Sequence, residues 1–200
     1  MPTTLKSFIK GAKILPEIFK LRQDYRAFRI VAREALLKQP VTEVPRIAAW
    51  REAYKAFGAK PKMERNSLES LMRRAEGGLP RVNRLTDIHN AISIKHPIPL
   101  ISATGQETFV TSSAGEPVTE CPPVGEVVWC DDAGVTCRRW NWRQCSRTAL
   151  SDGTTRVLLI LDALEPCTDV ALENAADELA GVLGGLSPDV RTYRCVLGGD

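Results

Sequence analysis

The densest concentration of chemically versatile side chains lies between Cys130 and Thr148, which reads Cys-Asp-Asp-Ala-Gly-Val-Thr-Cys-Arg-Arg-Trp-Asn-Trp-Arg-Gln-Cys-Ser-Arg-Thr. Its centre, Trp140, Asn141, Trp142, Arg143 and Gln144, combines flat stacking surfaces, a cationic fork and amides that both donate and accept. That equipment grips a nucleotide or a polar small molecule. If the run is a strand, Trp140 and Trp142 share one face and Asn141 and Arg143 the other, so that one face packs and the other recognises. The competing reading has the tryptophans filling the core and Arg143 covering an edge.

A second polar cluster, Asn83, Asp87 and Asn90, falls near one face of a helix amid isoleucines, with His89 beside it. His89 is the one candidate base, and a structural hydrogen-bonding role accounts for it as well. Capping or solvent exposure explains the polar face as readily as catalysis does.

The elements that must position these residues follow from periodicity. Residues 3 to 20 read as an amphipathic helix and residues 25 to 32 as a strand. Pro45 opens a helix with the stripe Ile47, Trp50, Tyr54 and Phe57, which Gly58 ends. Further helices are predicted from Ser67 to about Glu76, around Leu85 to Ile94, and from Thr168 to Leu186. Short strands are predicted at 109–111, 126–130, 135–142, 156–161 and 191–197, with a connection over 116–125. Helices and strands in this irregular order, without a repeat, predict an α+β fold in a single domain, a mixed or antiparallel sheet packed with helices.

Composition sets the outer limits. The chain has 200 residues, 44% hydrophobic and 26% charged, enough for one real core. Residues 1 to 100 carry 20 Lys and Arg against 9 Asp and Glu, whereas residues 101 to 200 carry 7 against 15. A basic half suits a polyanion, and equally a solvated basic surface. Six cysteines without a Cys-x-x-Cys pair, and two histidines remote from them, argue against a metal site. No cofactor is expected. With neither a secretory signal nor a membrane-length apolar run, reduced thiols in a cytoplasm are the expectation. The phosphate-binding glycine loops, the Gly-x-Ser-x-Gly elbow and His-Glu-x-x-His are missing from the sequence.

Further residues carry a resemblance. Val44-Pro45 and Trp50, Gly77-Gly78-Leu79-Pro80-Arg81-Val82-Asn83, Asp87-Ile88-His89-Asn90, Ile94-Lys95-His96, Gly125-Glu126-Val127-Val128, Asp131-Asp132-Ala133-Gly134-Val135 and Arg138-Arg139-Trp140-Asn141-Trp142-Arg143-Gln144 appear in that order. From Val44 to Pro166 the chain resembles the B3/B4 domain, the editing module of the phenylalanyl-tRNA synthetase β subunit. It is more similar still to freestanding proteins built from that domain. The implied organisation is a B3/B4-like editing domain over 41–200, with 1–40 contributing a helix and first strand to the same domain.

The resemblance implies an aminoacyl-tRNA deacylase that proofreads in trans, with the acceptor end of mischarged tRNA as partner; no membrane partner is expected, and the oligomeric state is left open with a monomer favoured. The family's Thr-Asn pair aligns with His89 and Asn90, and its Ala-Gly run with Trp140 and Asn141. A family histidine falls on Ile101, and the glutamate that reads a phenolic hydroxyl falls near Ile160, which counts against tyrosine proofreading. Some freestanding relatives clear canavanine from arginine tRNA. Such a substrate wants a carboxylate, for which Asp87, Asp131 and Asp132 are the candidates.

The implied roles are His89 and Asn90 for orienting water or the ester, Asn141 and Gln144 for the amino acid or oxyanion, and Arg143 or Arg147 for the terminal phosphate or carbonyl. Lys55, Lys60, Lys62, Arg65, Arg73 and Arg74 would meet the acceptor stem. A non-catalytic tRNA- or nucleotide-binding module and a small-molecule enzyme reusing the pocket are the alternatives.

Overall fold

The computed structural model describes residues 39–75, 77–79, 81–103 and 121–197. The helix expected over 3–20, the strands expected at 25–32 and 109–111, and part of the 116–125 connection lie outside them.

A 3-10 turn, Val41–Glu43, leads into α1, Pro45–Ala56. Pro45 occupies the first turn, where its missing N–H is no loss and its φ is already helical. Ile47, Trp50 and Tyr54 are buried as their spacing predicts, and Gly58, at φ 84°, supplies the left-handed turn beyond the helix. Next comes α2, Ser67–Ala75, which buries Leu68, Leu71 and Met72.

The central element is α3, Arg84–Lys95. Every residue from Asp87 to Ile94 is buried, so this helix has no solvent face along most of its length. It is enclosed by α2, by strand β1 (Leu100–Ala103) and by the carboxy-terminal helix α4 (Asp169–Gly184). Its start is set by Asn83, whose Oδ1 accepts the Thr86 N–H at 2.9 Å while its Nδ2 donates to the Leu150 carbonyl at 2.8 Å. Asn83→Ala removes both bonds. It should cost about 2 kcal/mol of stability, read as a lower urea midpoint at unchanged m-value.

Two antiparallel sheets complete the fold. β1 pairs with β5 (Leu158–Leu161), with Leu100 opposite Leu161 and Ile101 opposite Ile160. A meander of β2 (Trp129–Asp131), β3 (Gly134–Arg138) and β4 (Arg143–Gln144) forms the second sheet. One apolar cluster joins Ile88 and Ile92 of α3 to Leu100, Leu179 and Leu183, and another joins Trp50 and Tyr54 to Trp140 and Trp142. The architecture is α+β, as expected from the order of elements.

Several strands differ from expectation: β1 at Leu100–Ala103 was not expected, and β5 begins at Leu158 rather than Arg156. The segment 135–142 stops being a strand at Arg138, because a hairpin turn occupies 139–142. The segment 126–130 pairs only from Trp129 onward. Residues 191–197 are irregular and exposed. Their β-branched and aromatic composition fits a strand, but a strand requires a neighbour, and none of the described strands pairs with them. Among the described residues no helix is long and apolar enough to cross a membrane.

Candidate functional site

The Trp140 run does not lie on a strand. Arg138 pairs with Arg143, so residues 139–142 are the loop of a tight hairpin, and Arg139 and Trp140 take φ of 45° and 62°. Left-handed backbone at a bulky residue is strained and persists only when its surroundings hold it. Here the Trp140 N–H donates to the Val127 carbonyl at 2.7 Å. The indole packs edge-on against Trp50, with centroids 5.0 Å apart, and its own N–H donates to Asp162.

That loop turns Asn141 inward. Asn141 is 1% exposed; its Oδ1 accepts from the Tyr54 hydroxyl at 2.9 Å and its Nδ2 donates to Asp162 Oδ2 at 3.2 Å. The two-face strand expectation therefore fails, since Asn141 sits in the interior and Trp140 beside it. Trp142 carries the guanidiniums of Arg139 and Arg143, each 4.2 Å from its ring centroid, so its π surface is engaged by cations.

Asp162 is the residue that sequence reasoning missed. It is buried just past β5, and its N–H extends the ladder to the Pro99 carbonyl at 3.0 Å. Its carboxyl faces an amide and an indole but forms no ion pair with a described cation. Burial pushes it up to about 7, against the opposing pull of the Asn141 and Trp140 hydrogen bonds. Burial also raises the Tyr54 phenol. Burial, then the charge of Asp162, pushes the Cys137 thiol up to about 12, so Cys137 is not a nucleophile at neutral pH. The signal available in sequence was a carboxylate directly after the apolar strand Leu158–Leu161.

His89 and Asn90 sit on the fully enclosed stretch of α3. His89 Nε2 lies 2.6 Å from the Leu100 carbonyl, and a carbonyl only accepts, so the proton is on Nε2 and Nδ1 presents a lone pair. That Nδ1 is buried without a partner. Burial lowers the imidazole to about 4 despite the bond to Leu100, which keeps it neutral. Asn90 is 9% exposed, and its side chain has no hydrogen-bond partner among the described residues. Adjacent carbonyls at the start of β1 anchor both clusters: Leu100, its first residue, holds His89, and Pro99, just before it, holds the Asp162 amide.

The other expected site residues are committed elsewhere. Asp87 accepts from the Val82 N–H at 3.2 Å and pairs with Arg81 at 2.6 Å, which closes the turn before α3. Gln144 donates to the Thr148 carbonyl and hydroxyl at 2.8 and 3.1 Å. Arg147 is buried and grips Asp131 through two bonds of 2.6 and 2.8 Å, which lower the Asp131 carboxyl. Asp132 is exposed in the β2–β3 turn. Of the three aspartates expected to meet a cationic substrate, two hold arginines of the protein and the third faces solvent.

Lys60 and Lys62 lie exposed between α1 and α2. Arg65 and Arg73 reach Glu69 at 4.0 and 2.9 Å, and Arg74 is exposed on the last turn of α2. The Lys95-His96 pair ends α3 and is held by Glu178 at 2.5 and 2.8 Å, beside a recess of about 480 Å³. Among the described residues no group of three or more His, Cys, Asp or Glu is placed to hold a metal.

A helix enclosed on all sides, two small antiparallel sheets, and buried polar groups gathered around one strand define an α+β module built around a polar interior site. Residues 94–180 match the family model of the B3/4 domain. Domains of this family occur in tRNA-related proteins. Comparison with curated proteins and with solved structures finds no match.

Proposed function

We propose that this protein is a trans-editing aminoacyl-tRNA deacylase, hydrolysing the ester that joins a wrong amino acid to the terminal ribose. The observation that carries the reading is the adjacent pair His89 and Asn90. Both residues are buried, and among the described residues the buried Nδ1 of His89 has no partner. An unpaired buried polar atom costs about 1–3 kcal/mol, and a ligand that pairs with it recovers that cost.

An aminoacyl ester is already reactive, so placing water near its carbonyl is most of the task. In this reading Nδ1 of His89 accepts a hydrogen bond from the attacking water, and the Asn90 amide donates to the oxygen that gains charge. Water adds to the ester carbon, the bond to the ribose oxygen breaks, and that oxygen leaves with a proton as the free hydroxyl. No protein nucleophile is needed, which fits the protonated state of Cys137.

In this reading substrate choice follows from the pairing of β1 with β5. Ile101 and Ile160, where the family places its histidine and glutamate, face each other across β1 and β5 and present hydrocarbon in place of polar groups. Asp162 lies two residues beyond Ile160 and has no cation among the described residues to neutralise it. An amino acid with an aliphatic stem and a cationic end, such as canavanine on arginine tRNA, suits this pair.

The test is a panel of purified tRNAs, each charged with cognate and near-cognate amino acids. Catalytic protein should release amino acid from excess mischarged arginine tRNA over many turnovers. Protection of the ester in every member of the panel would make the protein a binder and end the deacylase reading.

A further inference from the structure

The carboxylate of Glu69, on the first turn of α2, is fully buried and meets three arginines. Arg51 Nη1 donates to both its oxygens at 2.9 and 3.0 Å, Arg73 donates Nε and Nη2 at 3.0 and 2.9 Å, and Arg65 Nε lies 4.0 Å away. One pairing neutralises a buried carboxylate. Three guanidiniums against one carboxylate leave a surplus of two positive charges, held together against their mutual repulsion.

The surplus faces solvent. Arg65 and Arg73 side chains are 44% and 40% exposed, and Arg73 has committed Nε and Nη2, which leaves Nη1 with two N–H donors. Lys62 and Arg74 stand exposed nearby in sequence. The acidic groups around the cluster are already engaged. Glu64 accepts the Lys60 N–H at 2.7 Å and pairs with Arg139 at 3.0 Å, and Glu52 pairs with Lys55 at 2.6 Å. The Glu64 to Arg139 bridge also ties this loop to the hairpin that carries Trp140 and Asn141.

We infer that Arg51, Arg65 and Arg73 form a clamp for an RNA phosphodiester, with Glu69 as its organiser. Glu69 fixes the planes of the Arg51 and Arg73 forks and draws Arg65 toward them, so that phosphate oxygens meet preoriented N–H donors with less ordering of long side chains on binding. RNA is the partner because the inference rests on the reading that the protein acts on tRNA. The clamp extends that reading by assigning Arg51 and Glu69 to the contact.

Uncharged bulk tRNA is the probe, titrated against the full chain between about 50 and 300 mM KCl. Arg65→Ala and Arg73→Ala should each weaken binding about five- to tenfold and lower the slope of log K against log salt by about 1. Arg191→Ala makes the same charge change at an exposed position of the carboxy-terminal segment and should alter neither quantity. Glu69→Gln makes the patch more positive yet should weaken binding, because the forks lose their common anchor.

Binding by Arg65→Ala and Arg73→Ala that equals Arg191→Ala overturns the clamp. So does equal competition by phosphatidylserine vesicles. Ester hydrolysis is scored separately: salt-sensitive binding lost in the arginine variants of a protein that hydrolyses no charged tRNA supports the clamp and removes the deacylase reading. Hydrolysis with an unaltered KM in those variants removes the clamp and leaves the deacylase.

Discussion

Asn90→Ala should lower single-turnover deacylation by about 100-fold or more while the protein keeps its unfolding midpoint. The two halves of this expectation rest on one fact, the absence of a described partner for the Asn90 side chain. Deleting a buried amide is destabilising when it orphans the group it was bonded to, and among the described residues there is no such group. A donor that serves only the charge developing in the transition state is lost from the rate instead. Release of labelled amino acid from mischarged tRNA, followed beside urea unfolding, separates the effects. A variant that hydrolyses within about threefold of the parent would remove Asn90 from the chemistry.

The second large effect is a pair of opposed pH slopes. His89 falls to about 4 in the folded protein from 6.5, so the unfolded chain holds its proton more tightly. As pH falls from 6.5 to about 4, the fold therefore loses stability, roughly 3 kcal/mol in all. Asp162 rises from 3.8 to about 7, so the folded protein holds that proton more tightly. Stability then falls as pH rises across that window, by roughly 4 kcal/mol. Between about 4 and 6.5 the two slopes cancel, and this pair leaves the parent protein almost flat.

Each single variant should unmask the other group. Asp162→Asn should lose stability toward acid, and His89→Gln should lose it toward neutrality, each by about 1.4 kcal/mol per pH unit. Urea midpoints at several pH values check both, and parallel profiles in the two variants would contradict the assignment of either group as buried and uncompensated.

Helix positions were legible because apolar periodicity and capping are local. The Pro45 and Thr168 starts follow from side chains acting within one turn of themselves, and the structure has both, whereas Asn83, expected on the helix face, caps α3 instead. β3 and β5 were legible as apolar runs, but their ends were not, and neither were β1 at Leu100–Ala103 and the irregular course of 191–197. Whether Arg139 to Trp142 continues a strand or turns depends on anchors at Glu126, Val127, Trp50 and Asp162, which are distant in sequence.

The site divides along the same line. His89 and Asn90 could be picked out as polar residues on an apolar helix, whereas which of their polar atoms are paired depends on what packs around α3. Asp87, Gln144 and Arg147 looked equally available, yet each meets a protein group first. Asp162 carried almost no local signal. Its importance comes from burial without a cation.

By itself the sequence determined the α+β class, the described helices and the resemblance to the B3/B4 domain, because these rest on residue order and spacing within short windows. The tertiary structure alone decided which of the described polar groups are satisfied and which are unpaired. Hydrogen-bond partnership and desolvation are properties of neighbours far apart in the chain, and no local pattern encodes them.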